Sequence, residues 1–448
     1  MQWRRKNVVY SYLPLLLAVG ALLVAAPARA NNVAVSNVTL QNIDTDLDTV
    51  EIKFDLAQDN AFGDLTWDSQ AFSDYVWIVV KYGTDGFSLP TWGYKHATLA
   101  SGGTITPTTD NLGAFVKSST ATTNMTLVWD YGADSVADDA IVKVKVLALE
   151  TVKIPEGQFT YNAGGIGGSG SNNYGGGAET DVTSAADLPS GAAAGWPNGY
   201  GSFYLAKYEV SQGQYADFLN MLGNNDASSF FSAQTGYGHT ITYTAGNAYG
   251  SRYAASVPNR GNNYMSTADS WGYAAWLATR PMTEMEFEKA GRGTNIGTAN
   301  TNTYPWGNGD PDATTYSYND GSGAATYVKY FANYSPGVDR PYDVGHFLRG
   351  DITRTNAQTG ASPYGVADLA GNDWEWEINS AATTLPLNGV GSLTVPASWP
   401  ATNSANKGVR GGGWYIDATY LRVSGRSFAS DSDTGRNINV GFRPARTN

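Results

Sequence analysis

The sequence predicts an α+β protein: an all-β sandwich over residues 31–150, followed by a loop-rich domain over 151–448. Three observations carry this. Apolar and polar residues alternate through Val50-Glu51-Ile52-Lys53-Phe54-Asp55-Leu56 and again through Ile141–Val146, the period-two signature of half-buried strands. Helical periodicity is confined to three short stretches after residue 210. From Thr294 onward, short strands alternate with long segments rich in Gly, Asn, Asp, Ser and Thr.

At the N-terminus, basic Met1–Lys6, apolar Leu13–Ala26 and the small-residue site Ala28-Arg29-Ala30 read as a secretory signal peptide over residues 1–30. The expectation is a mature chain from Asn31 that is secreted: extracellular, at the cell surface or in the periplasm. No later segment has the ~20 apolar residues that a spanning helix needs. Val76–Tyr82 and Met125–Tyr131 add strands to the sandwich, and Val33–Leu40 is an expected exposed strand that a neighbouring molecule could pair with. Asn124-Met125-Thr126 fits a glycosylation acceptor pattern by chance as readily as by design. Eight of the fourteen residues in Gly164–Gly177 are glycine, a loop or linker composition. With no strand leading in and no helix following, it is not a phosphate cradle.

Three helices follow. Ser211 caps one that carries Tyr215, Phe218, Leu219 and Leu222; Ser266 or Thr267 opens a second, with Trp271, Ala274, Trp276 and Leu277. Thr283-Glu284-Met285-Glu286 is a capping box, and that helix ends near Gly291 and Gly293. Glu286 is accounted for by the cap. Glu284 and Glu288 are expected to face solvent, because alternate residues of a helix do not share a face with Glu286.

Composition narrows the chemistry. The net charge is −12 over 448 residues, which argues against nucleic acid or anionic membrane as a partner. Cysteine is absent, so disulfides, thiolate metal sites and cysteine nucleophiles are excluded. Three histidines, His96, His239 and His346, lie far apart in sequence. Copper, iron and zinc are not expected; hard, oxygen-liganded cations suit this chain better.

Six motifs occur in order: Tyr204–Tyr215, Arg280–Glu288, Tyr304-Pro305-Trp306-Gly307, Tyr364–Trp376, Val409–Trp414 and Gly441-Phe442-Arg443. Together they resemble the formylglycine-generating enzyme, or sulfatase-modifying-factor, family across about residues 151–446. The resemblance implies a C-type-lectin-like fold. It also implies an active-site cysteine pair, copper-binding in the aerobic enzymes; aligned on Leu421-Arg422 and Arg426-Ser427, those positions here hold Ala418 and Val423. Family oxidase chemistry is therefore not expected. The iron-dependent sulfoxide synthase branch uses histidines of an extra helical domain, which this chain lacks.

The family's calcium sites are what the resemblance carries over. One would use Asp368, the Gly371 and Asp373 carbonyls, and Glu375; the other reading of Glu375 is a buried ion pair with Arg410 or Arg443. A second would use Asn333, the Tyr334 carbonyl, Asp339 and the Pro341 carbonyl. Trp374, Trp376 and Trp414 are expected in the core, and Arg410, Arg426 and Arg443 as ties between loops and carboxylates. Tyr415, Tyr420, Asp431, Asp433, Arg436 and Asn437 occupy the part of the fold that bears the family's groove, and are the candidate ligand contacts. The leading expectation is a non-catalytic, calcium-stabilised extracellular module that binds a protein or glycan. The alternatives are a self-associating subunit of a surface layer or filament, and an enzyme of unrecognised chemistry in the old groove.

Overall fold

The N-terminal strands are β1 (Ala34–Asp44), β2 (Thr49–Ala57), β3 (Asp64–Trp67), β4 (Gln70–Thr84), β5 (Lys95–His96), β6 (Leu99–Ala100), β7 (Ala114–Lys117), β8 (Ala121–Asp130) and β9 (Val142–Ile154). The alternation in β2 buries Val50, Ile52, Phe54 and Leu56 against Val76, Ile78, Val80 and Tyr82 of β4 and Met125, Leu127 and Trp129 of β8. Each such side chain contributes roughly 1.5–3 kcal/mol by leaving water. One wall of this core is a sheet in the order β1-β2-β8-β6; the other is part of an eight-stranded sheet in which β4 pairs β3, β5, β7 and β9.

The computed structural model describes residues 33–58, 64–67, 70–84, 93–119, 121–162, 179–294, 303–307, 316–319, 325–328, 332–335, 338–348 and 359–448, with 61, 309 and 311 singly. The expected leader over 1–30 and the Gly-rich run at 164–177 lie outside them.

Strand β9 joins the two parts of the chain. Its length from Val142 pairs β4, while Thr151–Ile154 also pair β12 (Phe203–Ala206) on the other side. The expected boundary at 150/151 therefore falls inside one continuous strand. The sheet continues through β12 to β21 (Pro444–Arg446) and β15 (Arg280–Pro281). Trp77 of β4 donates from its indole to Leu277 O at 3.0 Å, and Arg446 pairs with Asp110 at 2.5 Å, so the two halves share polar as well as apolar contacts.

Beyond β9 come β10 (Phe159–Tyr161), β11 (Thr180–Val182), α1 (Gln212–Met221), α2 (Asn224–Phe230), β13 (Ile241–Tyr243), β14 (Tyr253–Ala255), α3 (Thr267–Trp276), α4 (Glu284–Arg292), β16 (Tyr316–Asn319), β17 (Ala325–Val328), β18 (Trp374–Ile378), β19 (Lys407–Arg410) and β20 (Val440–Gly441). Strand β18 is central in a three-stranded sheet, antiparallel to β19 and parallel to β20. The fold is α+β, mostly sheet. Ser211, Ser266 and Thr283 each close a capping box on α1, α3 and α4. Helix α2 has no side-chain cap and buries only Ala227, which is why its seven residues gave no periodic signal.

Two expectations change here. Glu284 and Glu288 do not face solvent. Four residues apart, they share one face of α4 and are fully buried; Arg410 meets them at 3.1 and 2.9 Å, Arg426 meets Glu284 at 2.6 Å, and Arg292 meets Glu288 at 3.4 Å. Glu377 of β18 completes the cluster at 3.2 Å from Arg410. The segment Ala34–Leu40 does sit at a sheet edge, in β1, with Val33 just before it, but the edge is not flat. Register shifts at Ser36/Thr39 and Gln41/Asp44 accompany left-handed Asn37 (φ 54) and Asn42 (φ 51), the kind of bulge that blunts strand-to-strand pairing.

Candidate functional site

Two neighbourhoods hold the candidate residues: a buried acidic turn before β18, and an aromatic surface on the C-terminal loops.

The acidic turn is built by backbone geometry. Asp368 (φ 58), Gly371 (φ 78) and Asn372 (φ 67) are left-handed, and a Cβ on Gly371 would come 2.4 Å from Asn333 O. Only glycine fits so close to another backbone. Asn372 then stitches loops together: its Oδ1 accepts from Tyr342 N at 2.7 Å and from Asn333 Nδ2 at 3.3 Å. Asp368 Oδ2 accepts from Gly345 N at 2.5 Å.

Glu375 takes the ion-pair reading. Its carboxylate receives Arg443 Nε at 2.9 and 3.0 Å and Nη2 at 2.6 Å, all buried. Arg443 also donates to Ala206 O and Ala367 O, at 2.9 and 2.8 Å. Arg410 serves the Glu284–Glu288–Glu377 cluster instead.

Asp373 is the unusual member. It is wholly buried, and neither carboxylate oxygen has a hydrogen-bond partner. Beside it lies Glu209, also buried, accepting from Asp373 N at 2.9 Å and from the Asn372 side-chain amide. The point where a Gly261 side chain would begin is 2.9 Å from Asp373 Oδ2 and 3.0 Å from both Glu209 Oε2 and Asn372 Nδ2. Burial, then the surrounding carboxylates, hold both acids well above their usual range. Glu375 is raised by burial too, but Arg443 works against that.

These residues can be tested against the expected calcium ligands. An orphaned, buried carboxylate on Asp373 and an orphaned Oδ1 on buried Asn333 are hard oxygen donors of the type a calcium ion takes. Glu375, however, is spent on Arg443, and Asp339 is exposed. Among the described residues no three of His, Cys, Asp and Glu gather where they could hold a metal ion. The four-residue set over 368–375 does not fit as written; Asp373 is the member whose chemistry does.

The aromatic surface joins residues distant in sequence. Tyr237 stands in the turn Gly236-Tyr237-Gly238 with φ 45, a conformation that costs a bulky residue about 1–3 kcal/mol. The turn is pinned by His239 N to Gly236 O at 3.0 Å and by Asn263 Nδ2 to Tyr237 O at 2.9 Å. Its ring stacks on Trp414, with centroids 5.4 Å apart and planes at 24°, while remaining 47% exposed. Tyr415, 61% exposed, meets Trp414 edge-on at 5.5 Å. Nearby, Tyr420 stacks on exposed Phe428, and both lean on buried Trp374. Trp374, Trp376 and Trp414 are core residues, as expected, but Trp374 and Trp414 form the floor of this surface.

The polar candidates divide. Asp431, Asp433 and Asn437 order their own loop: Asp433 N donates to Asp431 Oδ1, Asn437 Nδ2 to Asp433 Oδ2, and Lys407 Nζ to the carbonyls of Asp431 and Asp433, all within 2.7–2.9 Å. Arg436 is not free for a ligand. It grips Asp269, the N3 residue of α3, with two 2.7 Å bonds and donates to Ser229 O and Phe231 O. The side chains of Ala418 and Val423 are apolar; the Ala418 carbonyl accepts from Tyr304 Oη at 3.1 Å, and Val423 is fully buried against Gly291 while its carbonyl accepts from Arg410. Sequence reasoning missed Tyr237 and Glu209. The Gly-Tyr-Gly triplet was the available signal for the first; nothing local marks Glu209 as buried.

A family model for the sulfatase-modifying factor enzyme 1-like domain matches residues 140–448. Hercynine oxygenase of Mycobacterium tuberculosis is 29% identical over 186 residues, covering 41% of this chain and 36% of that protein. The inactive C-alpha-formylglycine-generating enzyme 2 of Mus musculus is 32% identical over 150 residues, covering 33% of this chain and 41% of that protein. The chain thus spans well under half the length of these relatives. Among solved structures, Treponema denticola variable protein 1 aligns with a TM-score of 0.36 at 14% identity, covering 67% of this chain and 95% of that one. Over residues 140–448 this chain belongs to the sulfatase-modifying-factor family, as a member without cysteine.

Proposed function

We propose that the protein is a secreted, non-catalytic binding module with a C-type-lectin-like arrangement of its C-terminal loops, and that it recognises an extracellular glycan or protein through the aromatic surface. The observation that carries this is Tyr237: a bulky residue held in a left-handed turn, stacked on Trp414, and nearly half exposed. Strain retained at a surface aromatic is a feature of ligand-contact sites. Tyr415, Tyr420 and Phe428 extend the contact area, and the ordered Asp431–Asn437 loop supplies polar groups at its side. Calcium is proposed as a loop staple with Asp373 as its principal ligand, standing in for the missing disulfides. Binding of the mature protein to glycan and peptide arrays, compared with Tyr237→Ala and Tyr415→Ala, tests the reading. Specific binding lost in both variants supports it; binding that survives both overturns the assignment of this surface.

A second reading, self-association into an extracellular assembly, rests on exposed Val38, Leu40, Ile43 and Leu47 along and beside β1. Light scattering over a concentration series decides it. A steady monomer removes it.

A further inference from the structure

Three charged residues share one buried face of the eight-stranded sheet, where the two parts of the chain meet. Asp74 of β4 lies opposite Val152 of β9, and Glu150, two residues earlier in β9 and so on the same face, lies opposite Val76. On the other side of β9, Leu205 of β12 lies opposite Val152. Lys207, two residues on, donates from its backbone N to Glu150 O at 2.9 Å. The alternation thus brings Asp74, Glu150 and Lys207 to the face that carries Val76, Val152 and Leu205, all three closed to solvent.

The amine and the carboxyl touch. Lys207 Nζ lies 2.5 Å from Asp74 Oδ2, and both side chains are fully buried. Glu150 is buried beside them, and its Oε1 accepts from Gln58 Nε2 at 2.8 Å. Backbone bonds from Ser118 N to Asp74 O and from Ala367 N to Lys207 O, at 2.9 and 3.0 Å, hold the two reacting residues in place. An ion pair is complete with Asp74 and Lys207. Glu150 adds a second buried acid to the same face, which pairing does not need and condensation does.

We propose that Lys207 and Asp74 join in an intramolecular isopeptide bond, with Glu150 as the proton carrier. Burial favours the neutral amine and acid reached when the ammonium passes its proton to the Asp74 carboxylate. Contact replaces a bimolecular encounter, and exclusion of water protects the product from hydrolysis. The Nζ lone pair attacks Asp74 Cγ and the N–C bond forms. Glu150 takes one proton from the nitrogen and returns it to the departing hydroxyl; the C–O bond breaks and one water leaves. Glu150 ends as it began, and nothing is oxidised or reduced. The bond ties β4 to β12 across β9, a covalent staple in a chain without cysteine.

Mass spectrometry of the purified full chain, with its N-terminus fixed by sequencing, tests this. The intact mass is expected to fall one water below that of the sequence, and proteolysis to release a branched peptide joining Asp74 to Lys207. The branched peptide separates this bond from any other loss of water. Lys207→Arg, which keeps the charge, and Glu150→Gln, which keeps an acceptor for Gln58 but cannot carry the proton, should each show the full mass while circular dichroism stays native. The wild-type result decides the bond even if a variant fails to fold. A wild-type chain of full mass without the branched peptide holds an ion pair only and overturns the proposal. Complete bond formation in Glu150→Gln overturns the role of Glu150.

Discussion

Arg443 holds Glu375 through three contacts of 2.6–3.0 Å and, with the same guanidinium, caps the carbonyls of Ala206 and Ala367. One side chain thus fastens β12, β18 and the loop between residues 359 and 373. Breaking a buried pair strands a charge, so Glu375→Ala is expected to destabilise by about 3–5 kcal/mol in chemical denaturation. Glu375→Leu with Arg443→Met should recover part of that but leave the two carbonyls unpaired. A double variant no more stable than Glu375→Ala would mean that losing the two carbonyl bonds costs as much as leaving the Arg443 charge unpaired.

Asp373 yields the calcium prediction. With EDTA present, its raised pKa means the folded protein keeps a proton that the unfolded chain releases. Stability then falls as pH rises above the ordinary carboxylate range. Asp373→Asn should flatten that fall and stabilise the protein near neutral pH by about 1–3 kcal/mol. Calcium should raise the Tm of the wild type and leave Asp373→Asn unmoved. A calcium shift that persists in the variant places the ion elsewhere.

The parts legible in the sequence are those set by short-range rules. The caps at Ser211 and Thr283 and the alternation in β2 are local and appear where the pattern put them, and of the two openings offered for α3 it is Ser266, not Thr267, that caps it. Among the described residues after 359, the Gly391 loop is fastened by a partner hundreds of residues away, Lys81, and no local pattern encodes such a pairing. Glu284 and Glu288 illustrate the failure: spacing of four gave them one face, but only Arg410, far along the chain, decides that this face is inside. Arg436 looked like a paratope residue for the same reason, because Asp269 is invisible from its own loop.

The Arg410 cluster makes a sharp test of guanidinium geometry. Arg410 reaches Glu284, Glu288 and Glu377 and also donates to Val423 O and Gly425 O. A lysine keeps the charge but has three donors on one atom and cannot span five acceptors. Arg410→Lys should therefore cost more than about 2 kcal/mol in urea denaturation, despite being nominally conservative. A change within 0.5 kcal/mol, the usual range for surface substitutions, would show that the cluster relaxes around an ammonium.

Tyr237 should display a trade between stability and recognition. Glycine adopts φ 45 freely, so Tyr237→Gly relieves backbone strain while removing the stacked ring. Thermal denaturation is expected to show no loss, or a gain approaching 1 kcal/mol, while array binding disappears. A large destabilisation would mean that packing on Trp414 outweighs the strain, and that the ring is there for the fold.

His96 supplies the pH prediction. Its Nε2 lies 2.6 Å from Leu112 O, which only accepts, so Nε2 bears the hydrogen and Nδ1 is a bare acceptor. In the folded protein burial and the nearby Lys81 charge push its pKa down to about 3, against 6.5 as the ordinary value. Below pH 6.5 the unfolded chain takes up a proton there that the folded chain refuses, so this group's contribution is complete above pH 6.5 and drains away as pH falls toward 3. The slope is at most about 1.4 kcal/mol per pH unit. Carboxylates titrate over the same range, so the informative quantity is the difference between wild type and His96→Gln, whose amide can still donate to Leu112 O. That difference in unfolding free energy should shift in the variant's favour on going from pH 6.5 to 4 and stay constant above pH 7. A difference independent of pH would mean that the imidazole can take its proton within the fold, and that Nδ1 is not the bare acceptor its bond to Leu112 implies.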